Sequence, residues 1–254
     1  MAALSTLHLG AGRRLAYHST PAKGDGKQAA GVVFLGGFRS DMTGTKAVHL
    51  EAWAEASGRA FLRFDYRGHG SSSGAFEEGA IGDWADDARE AVSRLTEGRQ
   101  VLVGSSMGGW IALLLARAMP ERVAAIVGIA AAPDFTEDSM WAAFGAEERA
   151  ALEAEGQVTL PSDYSDEPYV ITRRLIEDGR QNLVLRDPLP LPFPVRLLHG
   201  TADADVPVAR GLALLDHMDC ADARLTLVKD ADHRFSSPTE LDLITATIDG
   251  LPLG

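Results

Sequence analysis

The chain has 254 residues, enough to bury one sizeable core. Its 36 acidic and 24 basic residues give a formal net charge of −12, which makes phosphate backbones and anionic membranes poor partners. Cys220 is the single cysteine, so neither an internal disulfide framework nor a cysteine-based metal cluster is available.

Residues 4–17 fit an antiparallel edge hairpin. The run GVVFLG at 31–36 is continuously apolar and ends in glycine, as buried parallel strands do. A helix is expected over 46–57 and a second strand, AFLRFD, over 60–65. Trp84, Ala88, Ala91, Val92 and Leu95 recur at helical spacing within 83–96. A third strand over 100–104 leads into a helix over 107–119 that Pro120 stops. Strands follow at 123–130, 194–199 and 224–228, with helices at 208–217 and 238–249. The β-α-β-α order predicts an α/β fold, a doubly wound, mostly parallel sheet with helices on both faces.

Residues 134–190 break this alternation. They carry no strand signal, read as helical at 147–155 and 169–178, and hold 13 acidic and 5 basic residues, a net of −8. An insertion of this length at a sheet edge reads as a helical cap or lid, the bland alternative being a solvated helical excursion. The expected domains are a core of 1–133 and 191–254 and a cap of 134–190.

Gly104-Ser105-Ser106-Met107-Gly108 matches G-x-S-x-G, in which a serine sits on a sharp strand-to-helix turn. Gly70-Ser71-Ser72-Ser73-Gly74 matches as well. Only Ser106 has a buried strand before it and an apolar helix after it, so Ser106 is the candidate nucleophile and Ser72 a residue of a glycine-rich loop. A serine hydroxyl needs a base to take its proton and an acid to orient that base. In this arrangement the chain order is serine, acid, histidine. His8, His18, His49 and His69 precede Ser106 and are excluded on order. His199 closes a strand and reads as structural, and His217 as an exposed residue late in a helix. His233 follows the last strand on a loop at the sheet's carboxyl edge, where open α/β sheets bind ligands, and is the candidate base. Asp203 is favoured as the acid, with Asp205 expected to cap the next helix. Asp134, just after the fourth core strand, is a third candidate acid, and Asp232 is expected to face solvent.

The turn Gly36-Gly37-Phe38-Arg39 follows the first core strand. The backbone N–H groups of Phe38 and Met107 are the expected oxyanion donors, and Gly37 and Arg39 the expected substrate-binding residues. Arg39 fits either an ordinary surface position or contact with a substrate carboxylate or hydroxyl.

Together the elbow, Asp203 in His-Gly-x-x-Asp-x-x-Val-Pro, and His233 resemble the serine α/β-hydrolases. The stretches Gly37-Phe38, Met42-Thr43-Gly44-Thr45-Lys46-Ala47, Arg63-Phe64-Asp65-Tyr66, Pro161-Ser162-Asp163-Tyr164-Ser165 and Asp232-His233-Arg234 narrow the likeness. They resemble the animal mitochondrial α/β-hydrolases that act as palmitoyl-protein thioesterases and cleave acyl glucuronides, and their bacterial relatives. The resemblance implies Ser106 as nucleophile, Asp203 as acid and His233 as base, acting on small-molecule or acyl-protein esters or thioesters without a metal or organic cofactor. Other readings are a small-ester esterase or carbon–carbon hydrolase on the same triad, or a silent ligand-binding protein. The acidic insertion predicts poor steering of multiply anionic substrates. The opening twenty residues lack a secretory pattern and the apolar runs fall far short of the ~20 residues a membrane span needs, so a cytoplasmic location without membrane insertion is expected.

Overall fold

A computed structural model describes residues 4–160 and 168–253. In chain order the elements are β1 (Ser5–His8), β2 (Arg14–Thr20), β3 (Gly31–Leu35), α1 (Thr45–Ser57), β4 (Phe61–Phe64), α2 (Ile81–Leu95), β5 (Gln100–Ser105), α3 (Met107–Ala118) and β6 (Val123–Ile129). Then come α4 (Ala146–Glu155), β7 (Gln157–Leu160), β8 (Tyr169–Thr172), α5 (Arg173–Gln181), β9 (Leu189–Pro190), β10 (Val195–Gly200), α6 (Val208–His217), β11 (Met218–Asp219), β12 (Ala223–Val228) and α7 (Pro238–Asp249).

The main sheet runs β1-β2-β4-β3-β5-β6-β10-β12. The β1–β2 hairpin is antiparallel and joins β4 antiparallel, and every later pairing is parallel. This is the expected mostly parallel α/β sheet with its edge hairpin. From β3 the chain goes first to one side, to β4, and then to the other, to β5. That reversal is a topological switch point, where a crevice opens beyond the carboxyl ends of the strands.

Both faces of the sheet are covered, so successive residues of one strand serve two cores. Val33, Leu35, Leu62 and Leu102 pack with Trp84, Ala88 and Ala91 of α2 and with α3. Val32, Phe34, Phe61, Val101 and Val103 pack with Ala47, Leu50 and Ala54 of α1 and Leu241, Ile244 and Ile248 of α7. Local chemistry sets the helix ends. The Asp83 carboxylate accepts the Ala80 N–H at the start of α2, at 3.1 Å. Ser237 and Glu240 cap α7 reciprocally, with Pro238 in its first turn. Gly58, at φ 72°, closes α1 in the left-handed region.

The segment between β6 and β10 departs from the helical expectation. A π-helical turn (Thr136–Trp141) and α4 precede an antiparallel pair, β7 with β8, and residues 169–172 form a strand rather than the start of a helix. The β-branched run Tyr-Val-Ile-Thr, paired with Gln-Val-Thr-Leu, prefers the extended form once a partner strand lies beside it. Residues 161–165 lie outside the described residues. Asp134 ties the segment at its root: its fully buried carboxylate accepts the N–H groups of Val184 (2.9 Å) and Leu185 (3.0 Å) and pairs with Arg186. Burial pushes this carboxyl up, and the two amides pull it back down. Further ties come from Trp110, whose indole donates to the Asn182 carbonyl at 3.0 Å, and from Asp178, which accepts the Gly82 N–H at 2.7 Å. Several acids of the segment are matched locally, Glu137 by Arg180 and Asp138 by Arg186 and Arg210. Arg180 and Arg186 are already counted in the net of −8, so of these three only Arg210 brings compensating charge from outside the segment. Among the described residues no helix is long and apolar enough to cross a membrane.

Candidate active site

β5 ends at Ser105 and α3 begins at Met107, leaving Ser106 at φ 53° and ψ −117°. A side chain rarely adopts that backbone, and it persists only where the surroundings enforce it. Here the Ser106 N–H donates to Ile129 O at 2.9 Å, and its carbonyl accepts from Gly109 (2.9 Å) and Ala132 (3.1 Å). The glycines of the motif are steric necessities. A Cβ on Gly108 would lie 2.0 Å from the Leu35 carbonyl, one on Gly104 2.3 Å from the Gly108 carbonyl, and one on Gly109 2.5 Å from the Ala131 Cβ. Strand and helix can meet at the elbow only without those side chains.

The turn after β3 lies against this serine. A Cβ on Gly37 would stand 3.5 Å from both the Ser106 Cβ and the Ser105 carbonyl. Met107 is the first residue of α3, so its N–H has no acceptor within the helix. The Phe38 ring meets Phe76 at 4.9 Å, Phe135 at 5.6 Å, Trp84 at 5.9 Å and Tyr169 at 6.2 Å between centroids. An aromatic wall drawn from the core and from the 134–190 segment thus stands beside the turn. Arg39, at φ 55°, is half-buried rather than an ordinary surface residue. Its guanidinium lies 5.0 Å from the Phe76 ring centre and 5.3 Å from that of Tyr169, and it donates to the Pro168 carbonyl at 3.1 Å. It clasps the segment to the core. The sequence showed the arginine but not the rings it would meet.

His233 sits between β12 and α7. Its Nδ1 donates to Asp203 Oδ2 at 2.9 Å and lies 3.1 Å from Oδ1. The Asp203 side chain is fully buried and the imidazole is 20% exposed, so the pair faces the surface through the histidine. Asp203 Oδ1 also accepts the N–H groups of Val206 (2.8 Å) and Asp205 (3.0 Å). Burial works to raise this carboxyl, but the His233 and Val206 hydrogen bonds and the neighbouring imidazoles outweigh it and hold it below its ordinary value. His199 is buried behind the pair, as its structural reading requires. Its Nε2 donates to Val206 O at 2.7 Å and stands 3.5 Å from Asp203 Oδ2.

The rejected candidates are placed elsewhere. Asp134 is spent on the segment's backbone. Asp205 does not cap α6, whose N-cap is Pro207 without a side-chain bond. The loop turns through Asp203 instead, and Asp205 serves it with its backbone. Asp232 is exposed and accepts the Phe235 N–H at 3.2 Å. His217 is half-buried rather than exposed, its Nε2 bonded to Asp187 O at 2.9 Å where β9 runs beside β11. Ser72 secures its loop, donating to Asp65 O at 2.6 Å and accepting from the Ala16 N–H at 2.9 Å. Asp203, Asp205 and His233 bring three possible metal-ligand atoms within 4.8 Å of one another. Since Asp203 and His233 already satisfy each other, the set is better suited to proton handling than to holding a cation. A cavity of about 200 Å³ between α2 and α3 is lined by Asp86, Arg89, Leu114 and Arg117 and includes none of these site residues.

The alpha/beta hydrolase family model matches residues 32–241, which span every element just described from β3 into α7. The chain belongs to the alpha/beta hydrolase family. Within this hydrolase family it is 40% identical to the mitochondrial palmitoyl-protein thioesterase ABHD10 of Mus musculus, over 87% of this chain and 74% of that protein. Among solved structures, a protein of Agrobacterium vitis S4 described as a hydrolase superposes with a TM-score of 0.92 at 40% identity, covering 98% of this chain and 97% of the other. Mouse alpha/beta hydrolase domain-containing protein 10 superposes with a TM-score of 0.89 at 38% identity, covering 98% and 97%.

Proposed function

We propose that the chain is a serine hydrolase that cleaves carboxylic esters or acyl thioesters through an acyl-enzyme. The observation that carries this reading is Ser106, held at φ 53° on the strand-to-helix turn with Gly37 packed against it. Ser106 Oγ attacks the acyl carbon, and His233 Nε2 takes its proton while Nδ1–H stays on Asp203. The N–H groups of Phe38 and Met107 receive the charge that develops on the carbonyl oxygen. His233 returns the proton to the departing alcohol or thiol, and water, activated by the same imidazole, releases the acid. Neither step needs a metal or an organic cofactor.

The aromatic wall around Phe38 favours an apolar acyl or aryl group. The likeness to a palmitoyl-protein thioesterase supports a long-chain acyl thioester as one substrate class. In this reading residues 134–190 form a cap over the core of 1–133 and 191–254, and Gly37 and Arg39 line the way in. A single cysteine suits a reducing compartment such as the cytoplasm, although the named relative is mitochondrial. The test is kcat/KM over aryl esters from acetyl to palmitoyl, with one acyl thioester and one acyl glucuronide, on wild type and Ser106→Ala. Activity that rises with chain length and vanishes in the variant supports a lipid thioesterase. A maximum at short chains leaves a small-ester esterase. No activity in wild type, or full activity in the variant, removes Ser106 as nucleophile.

A further inference from the structure

Lys46 stands in the first turn of α1, where the helix dipole disfavours a cation. It is nonetheless half-buried there, and its ammonium donates to the backbone carbonyl of Arg234, the residue after His233. The other side of that loop is tied independently. Ala202 N–H donates to Ala231 O at 2.9 Å, and Asp230 N–H to Thr201 Oγ1 at 2.9 Å. The imidazole is thus suspended between two anchors. One is fixed to the loop that carries Asp203, the other to α1. α1 follows the turn that bears Gly37 and Phe38 after the short connection of residues 40–44, so one stretch of ten residues joins that turn to the anchor.

We propose that Lys46 is a positioning residue for the reaction: its charged ammonium fixes the His233 loop relative to the Gly37–Phe38 turn, and catalysis weakens when that charge is lost. This rests on the reading of Ser106 and His233 as nucleophile and base. The charged groups acting on Lys46 come from two elements packed on it, Asp232 and Arg234 from the histidine loop and Glu240 from α7. Burial outweighs the two carboxylates and lowers the ammonium to about 8. The fold therefore holds Lys46 charged at neutral pH at some cost, a cost that falls as pH rises from that value toward the ordinary lysine value.

The experiment is the pH profile of kcat and kcat/KM toward a neutral aryl ester for wild type, Lys46→Arg, Lys46→Met and Ser106→Ala, with thermal unfolding of each. Wild type should lose activity with a midpoint near pH 8. In Lys46→Arg that limb should move upward, because a guanidinium stays charged. Lys46→Met should lose roughly tenfold in kcat with little change in KM, show no such limb, and unfold no earlier than wild type. A limb that stays in place in both variants, or a Lys46→Met enzyme with wild-type kcat, overturns the proposal. So does a lowered thermal midpoint with an unmoved profile, the signature of a strut. If Lys46→Met does not fold, the displacement of the limb in Lys46→Arg decides alone. Ser106→Ala separates the two levels. If it is silent while the limb ignores Lys46, only this inference fails; if it is active, the reading beneath it fails.

Discussion

His233 Nδ1 lies 2.9 and 3.1 Å from the two carboxylate oxygens of Asp203, whose side chain is completely shielded from water. That contact fixes which imidazole nitrogen carries a proton and leaves Nε2 free to act as base. Asp203→Asn should keep the shape and reverse the tautomer preference, lowering kcat by on the order of 10³–10⁴. Asp205→Asn should stay within a few-fold of wild type, because Asp205 serves the Asp203 loop through its backbone N–H. Comparable losses in the two variants would reassign the acid.

The same pair predicts a pH effect on stability. Asp203 is held below its ordinary value in the fold, so its contribution is complete above the unfolded carboxylate range and disappears as pH falls through the folded value. Thermal unfolding across acid pH should show wild type losing this increment while Asp203→Asn does not. Parallel curves would contradict it.

Gly108 lets α3 touch β3. Gly108→Ala places a methyl group 2.0 Å from the Leu35 carbonyl, backbone that cannot swing aside. It should cost about 1–3 kcal/mol or more and displace Ser106, so activity falls further than the folded fraction. Urea unfolding with active-site titration measures both.

Asp134 is the hub of the 134–190 segment. Asp134→Ala strands the buried N–H groups of Val184 and Leu185 and should cost about 2–5 kcal/mol by chemical denaturation. The fraction that remains folded should still turn over, since this carboxylate is bonded to the segment rather than to His233. Loss of activity without loss of stability would restore it as the catalytic acid.

Arg39 joins the segment to the core through Phe76, Tyr169 and Pro168. Arg39→Met should speed amide exchange in β8 and raise kcat/KM for bulky acyl groups relative to acetyl. Unchanged exchange and an unchanged acyl preference would show that the clasp does not control access.

The core was legible because its strands are buried on both faces. Continuous runs such as GVVFLG and the strand leading to Ser106 can hardly be anything else once glycines follow them. The pairing of Asp203 with His233 followed from chain order and from where loops leave the sheet. The hairpin of β7 and β8 was not legible. Each strand has four residues, and only Ile171 among them is buried, too short a record for a period-two pattern to emerge. Asp134 was opaque for a different reason: the N–H groups that donate to it lie fifty residues ahead, and nothing near it in the chain announces them. Arg39 was visible as an oddity whose partners only folding reveals. Lys46 shows in the sequence only as a cation at the start of a helix, in a chain that has 20 arginines and 4 lysines, and its partner on the histidine loop lies 188 residues away.

Covalent trapping tests the nucleophile most directly. The folded chain is treated with a fluorophosphonate, digested, and the modified peptide is identified by mass spectrometry. The label is expected on Ser106 alone, absent in Ser106→Ala and formed at least about a hundredfold more slowly in His233→Ala, since a serine without its base is a weak nucleophile. Labelling of Ser72 or another residue, or an unlabelled wild type, would contradict Ser106 as the nucleophile.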